Sequence, residues 1–233
     1  MKEVIKTAIK LTIPVMVGYL VLGTAFGLLL YKAGFHFLWA FLISLTVYAG
    51  SMQFVLISFL QGTIGIVSIV ITTLSVNSRH IFYGISFIEK FKQMGKSRPY
   101  MIFSLTDETY SLLCSIKRPE GMDEKKLFFF ISFFNQMYWI LGSVIGGILG
   151  DLISFDTSGI EFSMTALFIV IFVEQWLSTK NHLPAYIGLF CGIISLILFG
   201  ADNFLLPAMV VTVIILMGLK NRIVKTEDTK DEV

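Results

Sequence analysis

The sequence predicts an all-α polytopic integral membrane protein with about 6–8 transmembrane or re-entrant helices and a possible two-fold internal repeat. Only 15% of the 233 residues are charged, whereas soluble domains average about 25%. The mean hydropathy is +0.80, and long apolar segments follow one another along the chain. A helix needs about 20 apolar residues to cross the hydrocarbon core of a bilayer, and most of the segments reach or approach that length.

Eight apolar segments divide the chain, and each is a candidate membrane helix. They are residues 11–31, 35–60, 63–88, 100–116, 127–149, 162–177, 183–199 and 204–219. The first follows a basic amphipathic lead-in with Lys2, Lys6 and Lys10, and it is too long for a signal peptide. The charged tail, residues 220–233, is expected to be disordered. We therefore treat residues 1–219 as a single transmembrane domain.

Polar residues interrupt two of these segments. Residues 48–53, Tyr-Ala-Gly-Ser-Met-Gln, divide the second segment, and residues 106–109, Thr-Asp-Glu-Thr, divide the fourth. Thr106 or Ser104 could cap a helix that begins at the second interruption. The third segment contains Asn-Ser-Arg-His at residues 77–80, but its apolar pattern predicts one continuous spanning helix.

The distribution of lysine and arginine predicts a cytoplasmic N-terminus. The lead-in, the linker at residues 117–126 and the start of the tail are basic, whereas the loop after the fifth segment is acidic. Basic residues favour the cytoplasmic side of a membrane. Eight full crossings would place the basic residues 90–98 outside. A re-entrant second segment hinged at Gly50-Ser51, with a non-spanning fourth segment, would avoid this and give six crossings. The sequence leaves both topologies open.

A weak internal repeat relates the two halves of the chain, about residues 11–116 and 127–219. Residues 19–27 align with residues 138–146 at an offset of 119 (138 − 19), with Tyr, Leu and two glycines in common. Such repeats, with polar breaks in corresponding helices, are typical of transporters that bind substrate near the bilayer midplane. Chance similarity between apolar segments is the alternative. The glycines are interpreted as helix-packing faces: Gly23, Gly27, Gly142, Gly146, Gly147 and Gly150.

Polar residues recur at helical spacing in the third segment. One stripe comprises Thr72, Ser75, Arg79, Tyr83 and Ser86, and a second line beside it comprises Asn77, His80 and Gly84. An arginine inside an apolar helix costs about 2.5–3.5 kcal/mol on insertion scales, so it needs a partner. The planar guanidinium suits a substrate carboxylate. A structural ion pair with Asp107 or Glu108 is the alternative. We predict that the stripe lines a cavity and that Asn77, Arg79 and Tyr83 bind substrate.

The interruption at residues 48–53 is a second candidate site. Non-helical backbone at membrane depth is tolerated only where it faces protein or a wet cavity. Free amides at the start of a half-helix attract anions, and a substrate carboxylate would suit them. Gly50, Ser51 and Gln53 are therefore candidate substrate ligands. Close helix packing by small residues is the alternative.

Together these motifs resemble one transporter family. Tyr-Ala-Gly-Ser-x-Gln-Phe at 48–54, Asn-x-Arg-His at 77–80 with Tyr83-Gly84, and Thr-Asp-Glu at 106–108 are similar to the large subunit of AzlC-type branched-chain amino acid exporters. The resemblance implies a bacterial inner-membrane exporter of leucine, isoleucine and valine that works with a small AzlD-type membrane subunit. It also implies proton coupling, with His80, Asp107 and Glu108 as candidates.

Two other functions remain open from the residues alone. Ser51 and His80 could be the nucleophile and base of an intramembrane hydrolase, although no third orienting group is evident. The chain could also be a scaffold subunit that transports nothing. We expect no enzyme activity, metal or cofactor, and partners limited to an amino acid, lipid and the small subunit, without nucleic acid. Cys114 and Cys191 lack disulfide or metal-site spacing and are interpreted as packing thiols.

Overall fold

The regular elements of the chain are helices. The computed structural model describes residues 1–62, 64–116, 122–152, 169, 172–173, 176–177, 181–200, 204, 207–208 and 210–219, with only the backbone of Arg79, Ile81 and Phe82. No strand occurs among these residues, in agreement with the expected all-α class. Three of the features expected from the sequence lie wholly or largely outside them: the sixth apolar segment, the acidic loop and the tail. The first half of the linker, residues 117–121, also lies outside them.

The helix bounds follow the apolar segments closely. They are α1 Lys2–Lys32, α2 Phe37–Thr46, α3 Ser51–Gln61, α4 Ile66–Asn77, α5 Arg79–Lys92, a 3₁₀ turn at Gly95–Ser97, α6 Arg98–Phe103, α7 Asp107–Ser115, α8 Glu124–Leu152, and two later helices, Leu183–Phe199 and Val210–Leu219. Among the described residues, α1 and α8 are long and apolar enough to cross a membrane alone. Helices α2, α3 and α4 have 10–12 residues, which is about half a bilayer core at 1.5 Å per residue.

The third apolar segment is not one continuous helix, so that prediction was wrong. Helix α4 ends at Asn77 and α5 begins at Arg79. The interruption is local, because Ser78 keeps helical angles of φ −54° and ψ −33°. The His80 Nδ1 atom lies 3.2 Å from the Asn77 carbonyl oxygen. A side chain that bonds to a helix carbonyl, as the His80 imidazole does here, competes with the backbone hydrogen bonds of the helix.

The chain divides into two compact units. The first comprises Met1–Thr63 and Val76–Met164, and the second comprises Ile64–Ser75 and Thr165–Val233. The second unit contains most of α4 and both later helices, with an aromatic cluster in which the Trp176 and His182 rings stack 4.1 Å apart. The first unit contains the other helices and all of the predicted site residues in the interrupted segments.

Helices α1 and α8 form the centre of the first unit and run parallel to each other. Successive contacts show the direction: Thr12 Oγ1 lies 3.3 Å from Tyr138 Oη, Thr24 Oγ1 donates to the Gly142 carbonyl, and Tyr31 Oη donates to Asp151. Glycines allow the close approach. A Cβ atom on Gly142 would lie 2.8 Å from the Tyr19 carbonyl oxygen. The expected role of these glycines in packing is confirmed.

A hydrophobic cluster fills the space around the N-terminal ends of α1 and α8. It contains Val4 and Ala8 of α1, Phe87 and Phe91 of α5, Met94, Met101 of α6, Leu105, Leu113 of α7, and Leu127, Phe128 and Ile131 of α8. The last turn of α5 therefore lies at this end of the unit, where Lys90 is 3.8 Å from Glu124. Beside it, the hydrogen bond from Lys126 lowers the pKa of the Asp123 carboxyl.

Candidate functional site

Two interruptions of the chain lie beside the middle of α8. The first, between α2 and α3, is tied to it by the bond from Trp139 Nε1 to Gln53 Oε1, 2.9 Å long. The second, between α6 and α7, is tied to it by the bond from Asn135 Nδ2 to Thr109 Oγ1, 3.0 Å long. Both interruptions were predicted. They lie about one helical turn apart along α8, because Asn135 and Trp139 are four residues apart.

A cavity of about 570 Å³ adjoins both of these interruptions and the one at Ser78. The interruption between α2 and α3 supplies Val47, Tyr48 and Ala49. Asn77 and His80 flank the interruption at Ser78, and the interruption between α6 and α7 supplies Leu105. The rest of the lining comes from α5 and α6: Gly84, Ile85, Ile88, Phe91, Arg98, Ile102 and Phe103. Three points where helical hydrogen bonding is interrupted thus meet at one cavity, which is where free backbone groups are tolerated at membrane depth.

The cavity is apolar along its length, with a few polar groups. Its lining on α5 runs from His80 to Phe91, which is about 16 Å along a helix axis. Asn77 and His80 supply polar groups at one end of this line. Arg98 also lines the cavity, and it has no ion pair among the residues that the structure describes. A small molecule with an aliphatic part and a charged or polar part fits this distribution.

The first interruption has a strained backbone that α8 holds in place. Tyr48 and Gly50 both have positive φ, +41° and +38°, and such angles persist where the surroundings fix them. The fully buried Gln53 does this through three bonds. Its Oε1 atom accepts from the Ala49 amide at 3.3 Å and from Trp139, and its Nε2 atom donates to Ser44 at 3.2 Å.

The interruption between α6 and α7 is held from α1. Thr106 caps α7, as predicted, by accepting a hydrogen bond from the Thr109 amide at 3.3 Å. The Tyr19 hydroxyl lies 2.7 Å from Thr106 Oγ1 and donates to Glu108 Oε2, also at 2.7 Å. The Glu108 carboxylate is therefore fixed at the start of α7 and is bonded to the central helix of the unit.

The predicted site residues differ in how they relate to the cavity. Asn77 and His80 line the cavity, and Gly50, Ser51 and Gln53 form or support the interruption beside it. Tyr83 instead stacks on Tyr110, with ring centroids 4.3 Å apart. Asp107 and Glu108 begin α7. Arg79 begins α5, but its side chain lies outside the described atoms.

Several groups that shape this region do not stand out in the sequence as site residues. Arg98 lies in a basic stretch that predicts a loop, and Tyr48 lies in a motif whose glycine, serine and glutamine are the candidate ligands. Asn135 and Gln136 are buried on α8, where Gln136 accepts from Tyr100 at 2.8 Å and donates to the Leu45 carbonyl at 3.2 Å. Adjacent amides in an otherwise apolar segment were the available signal.

Comparison with known proteins gives the family. The family model described as AzlC protein matches residues 14–153. The branched-chain amino acid transport protein AzlC of Bacillus subtilis (strain 168) is 40% identical over 222 residues, which cover 95% of this chain and 87% of that protein. The chain belongs to the AzlC family. This membership confirms the expected class, a membrane transport protein and not an enzyme, and leaves the serine hydrolase alternative without support.

Two further relatives carry names that say only that they are membrane proteins. An uncharacterized membrane protein of Helicobacter pylori (strain ATCC 700392 / 26695) is 42% identical over 218 residues, covering 94% of this chain and 96% of the relative. The inner membrane protein YgaZ of Escherichia coli (strain K12) is 27% identical over 165 residues, covering 68% of this chain and 67% of that protein. No solved structure matches the chain.

Proposed function

We propose that this AzlC-family protein is the large subunit of a two-component secondary transporter that exports branched-chain aliphatic amino acids. We place it in the bacterial inner membrane as a multi-pass protein with a cytoplasmic N-terminus. The observation that carries the proposal is the cavity at which three helix interruptions meet. The printed name of the Bacillus subtilis relative supports the substrate class.

The cavity has the chemistry that an aliphatic amino acid requires. Ile85, Ile88 and Ile102 offer an apolar wall for a branched side chain. Helices α3, α5 and α7 all begin at the interruptions, and helix N-termini carry partial positive charge that favours a carboxylate. Arg79 at the start of α5 and Arg98 in the lining are the candidate cations for that carboxylate.

The remaining predicted residues have supporting roles in this proposal. Gly50, Ser51 and Asn77 contribute polar groups around the carboxylate, and Gln53 holds the interruption that presents the first two. Tyr83, whose ring stacks on Tyr110, holds α5 in position beside them. His80, Asp107 and Glu108 are the candidates for proton coupling. The support for Glu108 is its bond to Tyr19 of α1, since protonation of the carboxylate would weaken a bond between two helices. Asp107 lies next to it at the same helix terminus.

Leucine counterflow tests the proposed function. Vesicles containing the full chain, with and without a small AzlD-type subunit, are loaded with unlabelled leucine and placed in radiolabelled leucine. We expect label to accumulate, and we expect isoleucine and valine, but not lysine or glutamate, to compete. An absence of exchange both with and without the small subunit would refute the proposal. Counterflow does not depend on the direction of net transport, so inside-out vesicles are then needed to test export.

Arg79→Lys tests the carboxylate ligand. We expect this variant to fold with normal yield but to exchange leucine at least about tenfold more slowly, because one ammonium cannot copy the bidentate guanidinium. Lys96→Gln, which changes a basic residue outside the cavity lining, is the matched control. Near-normal exchange by Arg79→Lys would contradict the assignment. If Arg79 pairs with Asp107 instead, Arg79→Gln will lower the folded yield and Asp107→Asn will restore it.

A further inference from the structure

One glycine in the cavity wall is not required by the fold. Gly84 lies in the interior of α5, where glycine is a poorer helix former than any residue except proline. Its φ is not positive, and no described atom outside its own helix backbone and chain neighbours lies within 4 Å of the position that a Cβ atom would occupy. By contrast, Gly23 and Gly142 each face the backbone of a neighbouring helix.

Gly84 lies between two other cavity-lining residues on the same face of α5. His80, Gly84 and Ile88 follow one another at intervals of four residues, and all three line the cavity. Residues at that spacing lie one above another on the same helix face, about 6 Å apart along the helix axis. Gly84 therefore separates the polar part of this wall, at Asn77 and His80, from its apolar part at Ile88.

We infer that the absence of a side chain at Gly84 sets the size of the aliphatic side chain that the cavity accepts. The inference rests on the proposed function. A substrate whose polar groups bind near Asn77 and His80 extends its side chain past Gly84 toward Ile88. A methyl group added at residue 84 occupies the space that the outer methyl groups of leucine or isoleucine need, and leaves room for valine or alanine.

Substitution of Gly84 tests the inference through substrate preference and not through total activity. Gly84→Ala is expected to lower the apparent affinity for leucine relative to that for alanine by about tenfold, measured by competition in counterflow. One methylene group changes the discrimination between substrates in an apolar pocket by about 10–200-fold. Gly84→Val is expected to go further and exclude isoleucine. Ile88→Ala enlarges the same wall and is expected to change preference in the opposite direction, toward methionine or phenylalanine.

Gly18→Ala is the matched control, because Gly18 is also a helical glycine with an open Cβ position but lies on α1, outside the cavity lining. It is expected to leave the order of preference unchanged. Thermal stabilisation of the detergent-purified protein by leucine, valine and alanine supplies a second measurement for variants that transport poorly. An unchanged order of preference in Gly84→Ala and Ile88→Ala, by both measurements, would overturn the inference. Absence of leucine exchange in the unaltered protein would instead refute the proposed function.

Discussion

Gln53 shows how a single buried side chain fixes an interruption in the backbone. Its amide group is bonded to Ala49, Ser44 and Trp139, so it joins the strained turn before α3 to both α2 and α8. The sequence motif suggested a substrate ligand at this position. The bonds observed are those of a residue that positions the turn, while the neighbouring Tyr48 and Ala49 line the cavity.

Gln53→Leu is expected to destabilise the protein strongly. Leucine fills a similar volume but leaves the Trp139 and Ala49 donors without their acceptor, at about 1–3 kcal/mol for each orphaned group. We expect a lower midpoint of thermal unfolding in detergent, measured by circular dichroism, together with reduced exchange. Gln61→Leu, at the exposed end of the same helix, is the control. Equal midpoints for the two variants would show that the three bonds contribute little.

At the scale of helices, the pairing of α1 with α8 is the main packing interaction of the first unit. Small residues bring the two backbones into contact, and polar bonds such as Thr24 to the Gly142 carbonyl add to the packing. The shorter helices α2 and α7 are bonded to this pair near the interruptions, through Ser44 to Ser143 and Asn135 to Thr109. A rigid pair with shorter half-helices around it suits a site formed at helix ends.

Gly146→Ala is expected to weaken this pairing. Its Cβ atom would meet the backbone of Thr24, with the Thr24 Cα only 2.8 Å away, and backbone cannot move aside without separating the helices. Overpacking of this kind costs typically about 1–3 kcal/mol, measurable as loss of folded yield and a lower unfolding midpoint. Gly18→Ala has open space at its Cβ and is expected to be neutral or stabilising. A neutral Gly146→Ala would mean that the helices adjust freely.

At the scale of the whole molecule, the parallel direction of α1 and α8 constrains the topology. Their N-terminal ends meet in one hydrophobic cluster through Val4, Ala8, Leu127 and Phe128. If both helices cross the membrane, the N-terminus and the linker before α8 lie on the same side, so the chain between them crosses an odd number of times. Both the eight-crossing and the six-crossing topologies satisfy this. The repeat stays a prediction; because residues 19–27 and 138–146 lie on parallel helices, it would be a parallel repeat and not an inverted one.

Cysteine labelling tests this orientation. In a background without Cys114 and Cys191, cysteines at Lys2 and Lys125 are expected to be protected from an impermeant reagent in intact cells, because basic flanks favour the cytoplasm. A cysteine at Asp151, at the other end of α8, is expected to react. Reaction at only one of the first two positions would contradict the parallel arrangement. Reaction at both, with Asp151 protected, would reverse the proposed orientation.

The local features of this protein follow from its amino-acid sequence. Apolar length and turn chemistry are local properties, so the helical class, the Thr106 cap and two interruptions were predictable. The interruptions predicted at 48–53 and 106–109 lie at 47–50 and 104–106, because Ser51 and Asp107 already begin the next helices. The interruption at Ser78 was not predictable, because hydrophobicity alone does not register competition between side chain and backbone. The motifs also gave the family, and through it the expected transport class.

Which residues come together depends on the packing of the helices. Arg98 and Ile102 lie on α6, far along the chain from Tyr48, and Gln53 bonds Trp139 across 86 residues. Helical periodicity predicts which residues share a face, but it does not say which face meets a cavity. In this protein the helix face that carries Asn77, His80 and Gly84 faces the cavity. That choice depends on the packing of α5 against other helices, which is set by contacts between residues distant in sequence.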